Sequence, residues 1–282
     1  MLIDMHTHAF PQKIAASTLE KLSAASHTRP FTNGTSAGLE ASMRRAGLDV
    51  SLVLPVATAA RQVEHINDSA AQMNQAFAQT GIFSFGCIHP DFEGWRAELK
   101  RVKSLGLKGI KLHPVYQNVD FDDPRYLRIL CYAGELGLVV VTHAGLDVGF
   151  PGVVRCSPAM ARRALAQAGP VKLVLAHMGG WRCWDEVLEQ LPGTGAYIDT
   201  SFSVGKMCPL EDGYYRPEEL DLLDSPGFLK LVRAFGPERV LFGSDSPWSG
   251  QKESLAWVRA QPLEAEEKAA ILGGNGEKLL GL

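Results

Sequence analysis

Eight short apolar runs alternate along this chain of 282 residues with segments whose apolar residues recur at helical spacing. The runs lie near residues 2–8, 50–55, 82–89, 108–113, 138–143, 171–177, 196–200 and 239–245. In one intervening segment Ile66, Ala70, Met73 and Phe77 share a helix face. Strands that alternate with helices pair in parallel through right-handed crossovers. The pattern therefore predicts an α/β fold.

Eight such units favour a closed (β/α)8 TIM barrel, and the length is close to the ~250 residues typical of that fold. An open doubly wound sheet is the alternative, but no G-x-G-x-x-G motif follows an early strand. Length alone does not choose between one domain and two. Because we find no linker and no low-complexity tract, we expect a single domain over residues 1–282.

Four of the runs end in residues that can hold a metal ion: His6 and His8, then His143, His177 and Asp245. A buried parallel strand is apolar at nearly every position, so an ionisable residue at its carboxyl end needs a reason. The carboxyl ends of all barrel strands meet at one rim, where active sites of this fold lie. The sequence therefore predicts a metal or catalytic site at that rim.

The five residues differ in how strongly each indicates a site. His6 and His8 are two apart on a strand and point to the same face, although a lone H-x-H pair is a weak signal. His143 or His177 alone is equally well explained as a buried core histidine. Asp245 is costly to bury without a cation or hydrogen-bond donors nearby. Asp4 shares the alternation of His6 and either orients a ligand imidazole or bonds within the barrel floor.

Composition excludes several classes of protein. The apolar fraction of 46% and charged fraction of 21% are those of a soluble globular protein. A net charge of −3 gives no reason to expect nucleic acid or an anionic membrane as a partner. No apolar stretch approaches the roughly 20 residues of a membrane span, and the chain opens on a strand rather than a secretion signal. The five cysteines are widely spaced without a C-x-x-C pair, which favours a reducing cytoplasm.

Two connections are long, from Ala9 to Ser51 and from Phe202 to Glu238. Both would emerge on the carboxyl face of the barrel. The second carries four large polar or charged side chains, Lys206, Tyr214, Tyr215 and Arg216. It either covers the pocket or is an ordinary surface excursion.

The chain resembles the amidohydrolase superfamily, specifically the amidohydrolase-related branch, also called amidohydrolase 2, which includes aminocarboxymuconate semialdehyde decarboxylase. The matching motifs run over the whole chain in the expected order and are specific as a set. They are Ile3-Asp-Met-His-Thr-His8, Gly109-Ile-Lys-Leu-His-Pro114, Thr142-His-Ala-Gly145, Ala176-His-Met-Gly-Gly180, Val240-Leu-Phe-Gly-Ser-Asp-Ser-Pro-Trp248 and Ile271-Leu-Gly-Gly-Asn275.

The resemblance implies a (β/α)8 barrel with one divalent metal ion, usually zinc. It assigns metal ligation to His6, His8, His143 and Asp245, with His177 beside the metal-bound water or the substrate carbonyl. Ligand chemistry agrees, because three imidazoles and a carboxylate suit zinc and leave a position for water. Such an ion activates water, Asp245 would take the water proton, and His177 would polarise the electrophile.

Lys111 and His113 share one strand face in the Gly109–Pro114 motif. Some superfamily members carbamylate a lysine of the fourth strand to bridge two metals, whereas this branch is generally mononuclear. We therefore interpret Lys111 as a substrate-anion contact or a barrel-lining group, and His113-Pro114 as a turn at the strand end.

Two arginines and two tryptophans follow the fifth, sixth and eighth strands. They are Arg155, Trp181, Arg182 and Trp248. As pocket-lining residues they would favour an aromatic or carboxylated substrate, whereas surface arginines and core tryptophans explain them equally well.

The function expected from these observations is a metal-dependent hydrolase that cuts a C–N or C–O bond in a small, anionic substrate. A carboxy-lyase is the alternative, since the branch contains both reactions, and relatives that hydrolyse lactones can work without a metal. A catalytically silent binding barrel is a further alternative, although the complete set of ligand types argues against it. A serine hydrolase is disfavoured because no G-x-S-x-G is present. Relatives often pair, which leaves a homodimer open.

Overall fold

The computed structural model of the chain describes residues 1–282. Its strands are β1 (Ile3–Thr7), β2 (Val50–Val53), β3 (Ile82–Ser84), β4 (Gly86–Cys87), β5 (Gly109–Leu112), β6 (Val139–Thr142), β7 (Leu146–Asp147), β8 (Phe150–Val154), β9 (Lys172–Leu175), β10 (Tyr197–Asp199) and β11 (Val240–Leu241).

The helices follow the strands in alternation. They are α1 (Gln12–Ser26), α2 (Ser36–Ala46), α3 (Val63–Asn74), α4 (Phe77–Thr80), α5 (Trp95–Ser104), α6 (Pro114–Gln117), α7 (Pro124–Glu135), α8 (Pro158–Ala168), α9 (Trp184–Gln190), α10 (Ser225–Phe235), α11 (Gln251–Arg259), α12 (Ala265–Ala269) and α13 (Asn275–Leu280). Three 3₁₀ turns lie at Ala60–Gln62, Pro217–Glu219 and Pro237–Arg239, and a π-helical turn lies at Ala270–Gly274. No helix combines the length and the apolar character needed to cross a membrane.

Parallel pairing joins the strands into one closed barrel. Two runs of hydrogen-bonded strands are present, β1-β2-β3 and β4-β5-β6-β9-β10-β11. Only Phe85 separates β3 from β4, so the two form one interrupted strand. At the other seam the Met5 N–H donates to the Phe242 carbonyl (2.8 Å), and Thr7 pairs in parallel with Ser246. The predicted TIM barrel is therefore confirmed, and the remaining strands, β7 and β8, form an antiparallel hairpin after β6.

The core lies in two layers that follow from the apolar runs. A cluster of 49 buried residues joins the strands to the surrounding helices, and a separate cluster of 13 includes Ile3, Leu52 and Val141. Leu279 and Leu280 of α13 belong to this second cluster. The apolar strand residues pack within these two layers. The polar residues that follow them at the strand ends therefore lie outside the layers, at the carboxyl rim.

A shift of register in β1 separates Asp4 from the histidines that follow. The pairing with β2 is irregular between Asp4 and Thr7. As a result Asp4 does not continue the alternation of His6, and its carboxylate accepts hydrogen bonds from Ser244 and Gln251. Of the two roles expected for Asp4, these contacts match the one within the barrel framework.

The two long connections meet each other over the carboxyl face. The Leu210 N–H donates to the His27 carbonyl (2.8 Å), and the Tyr215 hydroxyl donates to the Ser26 carbonyl (2.6 Å). The rings of His27 and Tyr214 stack with centroids 3.7 Å apart. The second connection is therefore held against the end of α1, at the mouth of the barrel.

Candidate active site at the barrel rim

The five strand-end residues surround one cavity of about 90 Å³ at the carboxyl rim. The charged and imidazole side chains of its lining are His6, His8, Lys111, His113, His143, Asp147, His177 and Asp245, and its aromatic side chains include Tyr116, Trp181, Phe202 and Trp248. Residues up to 239 positions apart in the chain thus meet because each follows a strand of the same barrel.

Three of these residues form a compact group that we call the HHD group: His6, His8 and Asp245. The Oδ1 atom of Asp245 lies 3.3 Å from His6 Nε2 and 3.1 Å from His8 Nε2. Two ligands of one tetrahedral zinc ion, at bond lengths near 2.0–2.1 Å, are roughly 3.3–3.4 Å apart. The spacing in the HHD group therefore fits a shared ion.

Hydrogen bonds on the far side of each ring determine which nitrogen of each histidine is free. The Nδ1 of His6 donates to Asp199 Oδ2 (2.9 Å), and the Nδ1 of His8 donates to the Leu54 carbonyl (2.9 Å). A neutral imidazole protonated on Nδ1 has a lone pair on Nε2. Both Nε2 lone pairs therefore face a carboxylate oxygen, an arrangement that a shared cation would stabilise.

Burial and the neighbouring charges keep His6 and Asp245 in the protonation states that metal ligands need. Burial, and next the charge of Lys111, hold the pKa of His6 well below its usual value. Burial raises the pKa of Asp245, but the hydrogen bond from His8 and the charges of His6 and His8, which these rings supply only in their protonated forms, outweigh burial and lower that pKa well below its usual range. Metal ligands must be deprotonated, and His6 and Asp245 meet that condition.

The backbone is strained where two site residues leave their strands. His177 (φ 62°) and Asp245 (φ 69°) lie in the left-handed region, which side chains other than glycine rarely adopt. Gly243 lies against His6, and a Cβ on it would come within 2.8 Å of the Cβ of His6. Strain of this kind collects at functional sites, where the surrounding structure over-determines it.

His143 and His177 pair with each other through their ring nitrogens, and the His177 ring lies beside that of His6, with centroids 5.3 Å apart. His143 Nδ1 lies 2.9 Å from His177 Nε2, while carbonyl oxygens of Leu146 and Ser201 accept from the opposite ring nitrogens. Burial lowers the pKa of His143 to about 3 and that of His177 to about 4. The two inner nitrogens are therefore free of protons and available to a ligand. The fourth metal ligand expected at His143 stays a prediction, since neither of its ring nitrogens lies in the HHD group.

A second group of potential ligands, His113, His143 and Asp147, lines the same cavity. Asp147 Oδ2 lies 3.5 Å from His113 Nε2 and 3.7 Å from His143 Nε2. However, the two imidazole rings are stacked, with centroids 4.4 Å apart and planes within 13°. An ion bound to both would lie far outside at least one ring plane, where no lone pair points. The HHD group is therefore the better metal site.

Lys111 lies at the base of the cavity and is almost completely buried. Its Nζ is 3.2 Å from His6 Nε2 and forms no ion pair with a carboxylate. Burial lowers the pKa of Lys111 to about 8, against the opposing charges of Asp199 and Asp245. Its position is compatible with both roles expected for it, a contact to a substrate anion or a barrel-lining group.

The remaining predicted substrate residues divide between the cavity and its surroundings. Trp181 and Trp248 line the cavity. Arg155 does not, because the chain after β8 turns away and the guanidinium of Arg155 pairs with Asp120 (2.8 Å). Arg182 lies outside the cavity, in a neighbouring cleft.

Asp199 and Asp147 were not among the residues that we selected from the sequence. Asp199 ends the run Tyr197-Ile-Asp199, so the rule that identified the other strand ends applied to it as well. Asp147 follows β6 in a hairpin, and no pattern in the sequence places it near His113.

The comparisons with known proteins agree with this architecture. Residues 3–282 match the model of a family described as amidohydrolase. No curated protein matches the chain.

Several solved structures have the same fold at low sequence identity. An uncharacterized TIM-barrel protein from Bordetella bronchiseptica has a TM-score of 0.76 at 16% identity, covering 99% of this chain and 98% of its own. A dihydroxybenzoic acid decarboxylase from Polaromonas sp. JS666, with bound manganese and the inhibitor 2-nitroresorcinol, has a TM-score of 0.69 at 15% identity, covering 100% and 97%. A Pseudomonas putida protein assigned as a 2-pyrone-4,6-dicarboxylic acid hydrolase has a TM-score of 0.66 at 18% identity, covering 99% and 97%. The family match extends over almost the whole length, and the chain is a member of the amidohydrolase family.

Proposed function

We propose that the protein is a metal-dependent hydrolase that uses a metal-activated water to cut a C–N or C–O bond in a small, anionic substrate. One observation carries the proposal. In the HHD group the Nε2 atoms of two imidazole rings, each of which donates from Nδ1 on its far side, face one carboxylate oxygen at the spacing of ligands to a common ion.

A divalent ion, with Zn²⁺ as the first candidate, would be held by His6, His8 and Asp245, and would supply Lewis-acid activation of water and of the substrate carbonyl. Three protein ligands with one open position are the usual arrangement of a catalytic zinc site. With His143 as the proposed fourth ligand, the reacting water would take a fifth position.

The residues around the ion would then orient the substrate and move protons. The Oδ2 atom of Asp245 forms no hydrogen bond within the protein, so it is the atom that would accept the water proton. Because the pKa of Asp245 is low, the carboxyl would pass that proton on to the leaving group. His177, held through Nδ1 by the Ser201 carbonyl, would act on the substrate carbonyl with Nε2. Lys111 would bind an anionic group, and Trp181 would help to exclude water.

A carboxy-lyase reaction is the second candidate. A structure of the same fold is a dihydroxybenzoic acid decarboxylase with a bound metal, and the lysine at the base of the present cavity is suited to hold a carboxylate. The same HHD group would serve either reaction, so only the product separates them. Release of carbon dioxide from carboxylated aromatic acids would assign the lyase, and release of acid and amine or alcohol would assign the hydrolase.

Metal analysis of purified variants tests the proposal without knowledge of the substrate. We expect the wild-type protein to carry a divalent ion, by elemental mass spectrometry, and His6→Ala and Asp245→Asn to lose it. His65→Ala, at an exposed position on α3, is the matched control and should keep the ion.

Turnover is then measured on a panel of small lactones, amides and carboxylated aromatic acids. Loss of turnover in His6→Ala and Asp245→Asn, with His65→Ala unaffected, is the expected result. Full turnover in both site variants would refute the proposal. Turnover in wild-type protein confirmed to be free of metal would instead assign a metal-independent lactone hydrolase.

A further inference from the structure

A second, larger cleft opens directly beside the cavity. It has a volume of about 590 Å³, and four residues line both spaces: Leu146, Asp147, Val148 and Trp181. The cavity of about 90 Å³ has room for the reacting group of a small molecule, whereas complete ligand pockets are typically about 300–1,000 Å³. The rest of a substrate that reacts in the cavity would therefore extend into the cleft.

The cleft contains one arginine, Arg182, with unused hydrogen-bonding capacity. Its guanidinium lies over the rings of Trp181 and Trp184, with its central carbon 5.2 and 5.9 Å from their centroids. Its single hydrogen bond runs from Nη2 to the carbonyl of Glu219 (2.6 Å). A guanidinium has five N–H donors, so most of its donors remain free.

Two of the three acidic side chains of the cleft are engaged by another arginine, and the third, Asp147, faces the histidines of the cavity. Glu219 and Glu218 lie 3.2 and 3.5 Å from the guanidinium of Arg216. Arg182 forms no ion pair with either carboxylate, although it is half buried. A cation held on aromatic rings, partly removed from water and without a carboxylate partner, is suited to bind a planar anion through two parallel N–H bonds.

The backbone at Arg182 supports a functional role for this placement. Its φ of 60° lies in the left-handed region, which is unfavourable for a side chain with a Cβ. The neighbouring Trp181 is held by a parallel bridge to Gly145, so the position of the turn is set by the barrel rim. Strain kept at a residue that faces a cleft indicates that the direction of its side chain matters.

We propose that Arg182 binds a second anionic group of the substrate, remote from the bond that reacts, with the middle of the substrate passing along Trp181, which lines both spaces. The specificity of the enzyme would then be for an elongated dianion rather than for a compact monoacid. This inference rests on the proposed function in one respect, since it takes the cavity as the place of reaction.

Equilibrium binding of rigid acids of increasing length tests the subsite apart from turnover. The probes are benzoate, phenylacetate and cinnamate, each compared with its counterpart carrying a second carboxylate in the para position. Calorimetric titration into the zinc-loaded wild-type protein should show, at one length or more, that the second carboxylate tightens binding about tenfold or more, as expected for a charge-assisted hydrogen-bonded pair.

Variants test whether Arg182 is the source of this gain in affinity. In Arg182→Met the diacid and the monoacid should bind equally, whereas Arg162→Met, which removes an exposed arginine of α8, should retain the full gain. Arg182→Lys keeps the charge without the planar fork and should retain part of it, and thermal melts report whether each variant is folded. The proposal is overturned if the second carboxylate tightens binding at none of the three lengths, which includes the case that no acid binds. It is also overturned if the gain in affinity survives in Arg182→Met. If the protein holds no metal or turns over no substrate while the Arg182-dependent gain in affinity is intact, only the proposed function is refuted.

Discussion

At the scale of single residues, the most consequential side chain outside the HHD group is Asp199. Its Oδ2 accepts from His6 Nδ1, and its Oδ1 accepts from the backbone N–H groups of His177 and Ser201. The carboxylate is completely buried. It therefore determines which nitrogen of His6 carries the proton, and so which nitrogen can bind a metal.

Replacement of Asp199 by Asn should weaken metal binding without removing a ligand. The Asn oxygen is needed by the two backbone N–H groups, so its NH₂ must face His6 Nδ1 and drive the proton of His6 to Nε2. We expect the metal affinity of Asp199→Asn to fall about 10–100-fold. Competition with a chromogenic chelator at one pH measures this, with the exposed Asp185→Asn on α9 as control. An unchanged affinity in Asp199→Asn would show that Asp199 does not set the protonation of His6.

At the scale of elements, α7 illustrates how local sequence sets a helix. Asp123 caps its start by accepting from the Arg125 N–H (2.8 Å), and Pro124 occupies the first helical position. Tyr126, Ile129 and Leu130 lie on one buried face. The side chain of Arg125 also donates to Asp123, and this bond holds the pKa of that carboxyl down, at about 2.

The contribution of Asp123 to stability should depend on pH in a defined direction. Its pKa is lower in the folded state than its usual 3.8, so its charge stabilises the fold above about pH 4, and this contribution is lost as the pH falls towards 2. Asp123→Ala should cost about 1 kcal/mol of unfolding free energy at pH 7. Asp123→Asn, which keeps the cap but not the charge, should cost less.

Urea unfolding of the three proteins between pH 7 and pH 3 measures the effect. The gap between wild type and Asp123→Asn should narrow as the pH is lowered. A gap of the same size at pH 3 and pH 7 would mean that the charge of Asp123 does not contribute.

At the scale of the whole molecule, the C-terminal segment closes the seam between the first and last strands. The Phe242 N–H donates to the Ile271 carbonyl (2.9 Å), and Asn275 Nδ2 donates to the Val240 carbonyl (2.8 Å). Gly273 lies directly against Met1, and a Cβ on it would come within 1.9 Å of the Met1 carbonyl oxygen. The absence of a side chain at Gly273 therefore lets the C-terminal segment reach β1.

Two neighbouring glycines make a matched test of this seam. In Gly273→Ala the added methyl group meets backbone, and we expect a loss of about 1–3 kcal/mol, as for overpacking in a core. Gly274→Ala adds the same group where the nearest atom is 3.4 Å away, and alanine is the better helix former, so its stability should be equal or higher. Calorimetry should give a melting temperature several degrees lower for Gly273→Ala. Equal melting temperatures for both variants would contradict this account.

Much of the fold and part of the site could be predicted from the sequence. Each strand is encoded by a few consecutive apolar residues, and His143 or Asp245 at the end of such a run is visible without knowledge of its neighbours. Arg155 shows the limit of this reasoning, since its distance from a strand end was right for the pocket, but a turn after β8 pairs it with Asp120. Asp4 shows another limit. We inferred the direction of its side chain from the regular alternation of side chains along a strand, and an irregular register in β1 interrupts that alternation.

The sequence by itself determined the barrel and the strand ends that meet at its rim, because apolar periodicity is a local property that residues a few positions apart express together. Only the tertiary structure decided which ring nitrogens are free, which histidines group with Asp245, and that Arg182 faces a cleft beside the cavity. These features depend on hydrogen bonds such as that between His6 and Asp199, which are 193 positions apart. The orientation of a side chain is set by partners that the chain brings together only once the barrel has closed.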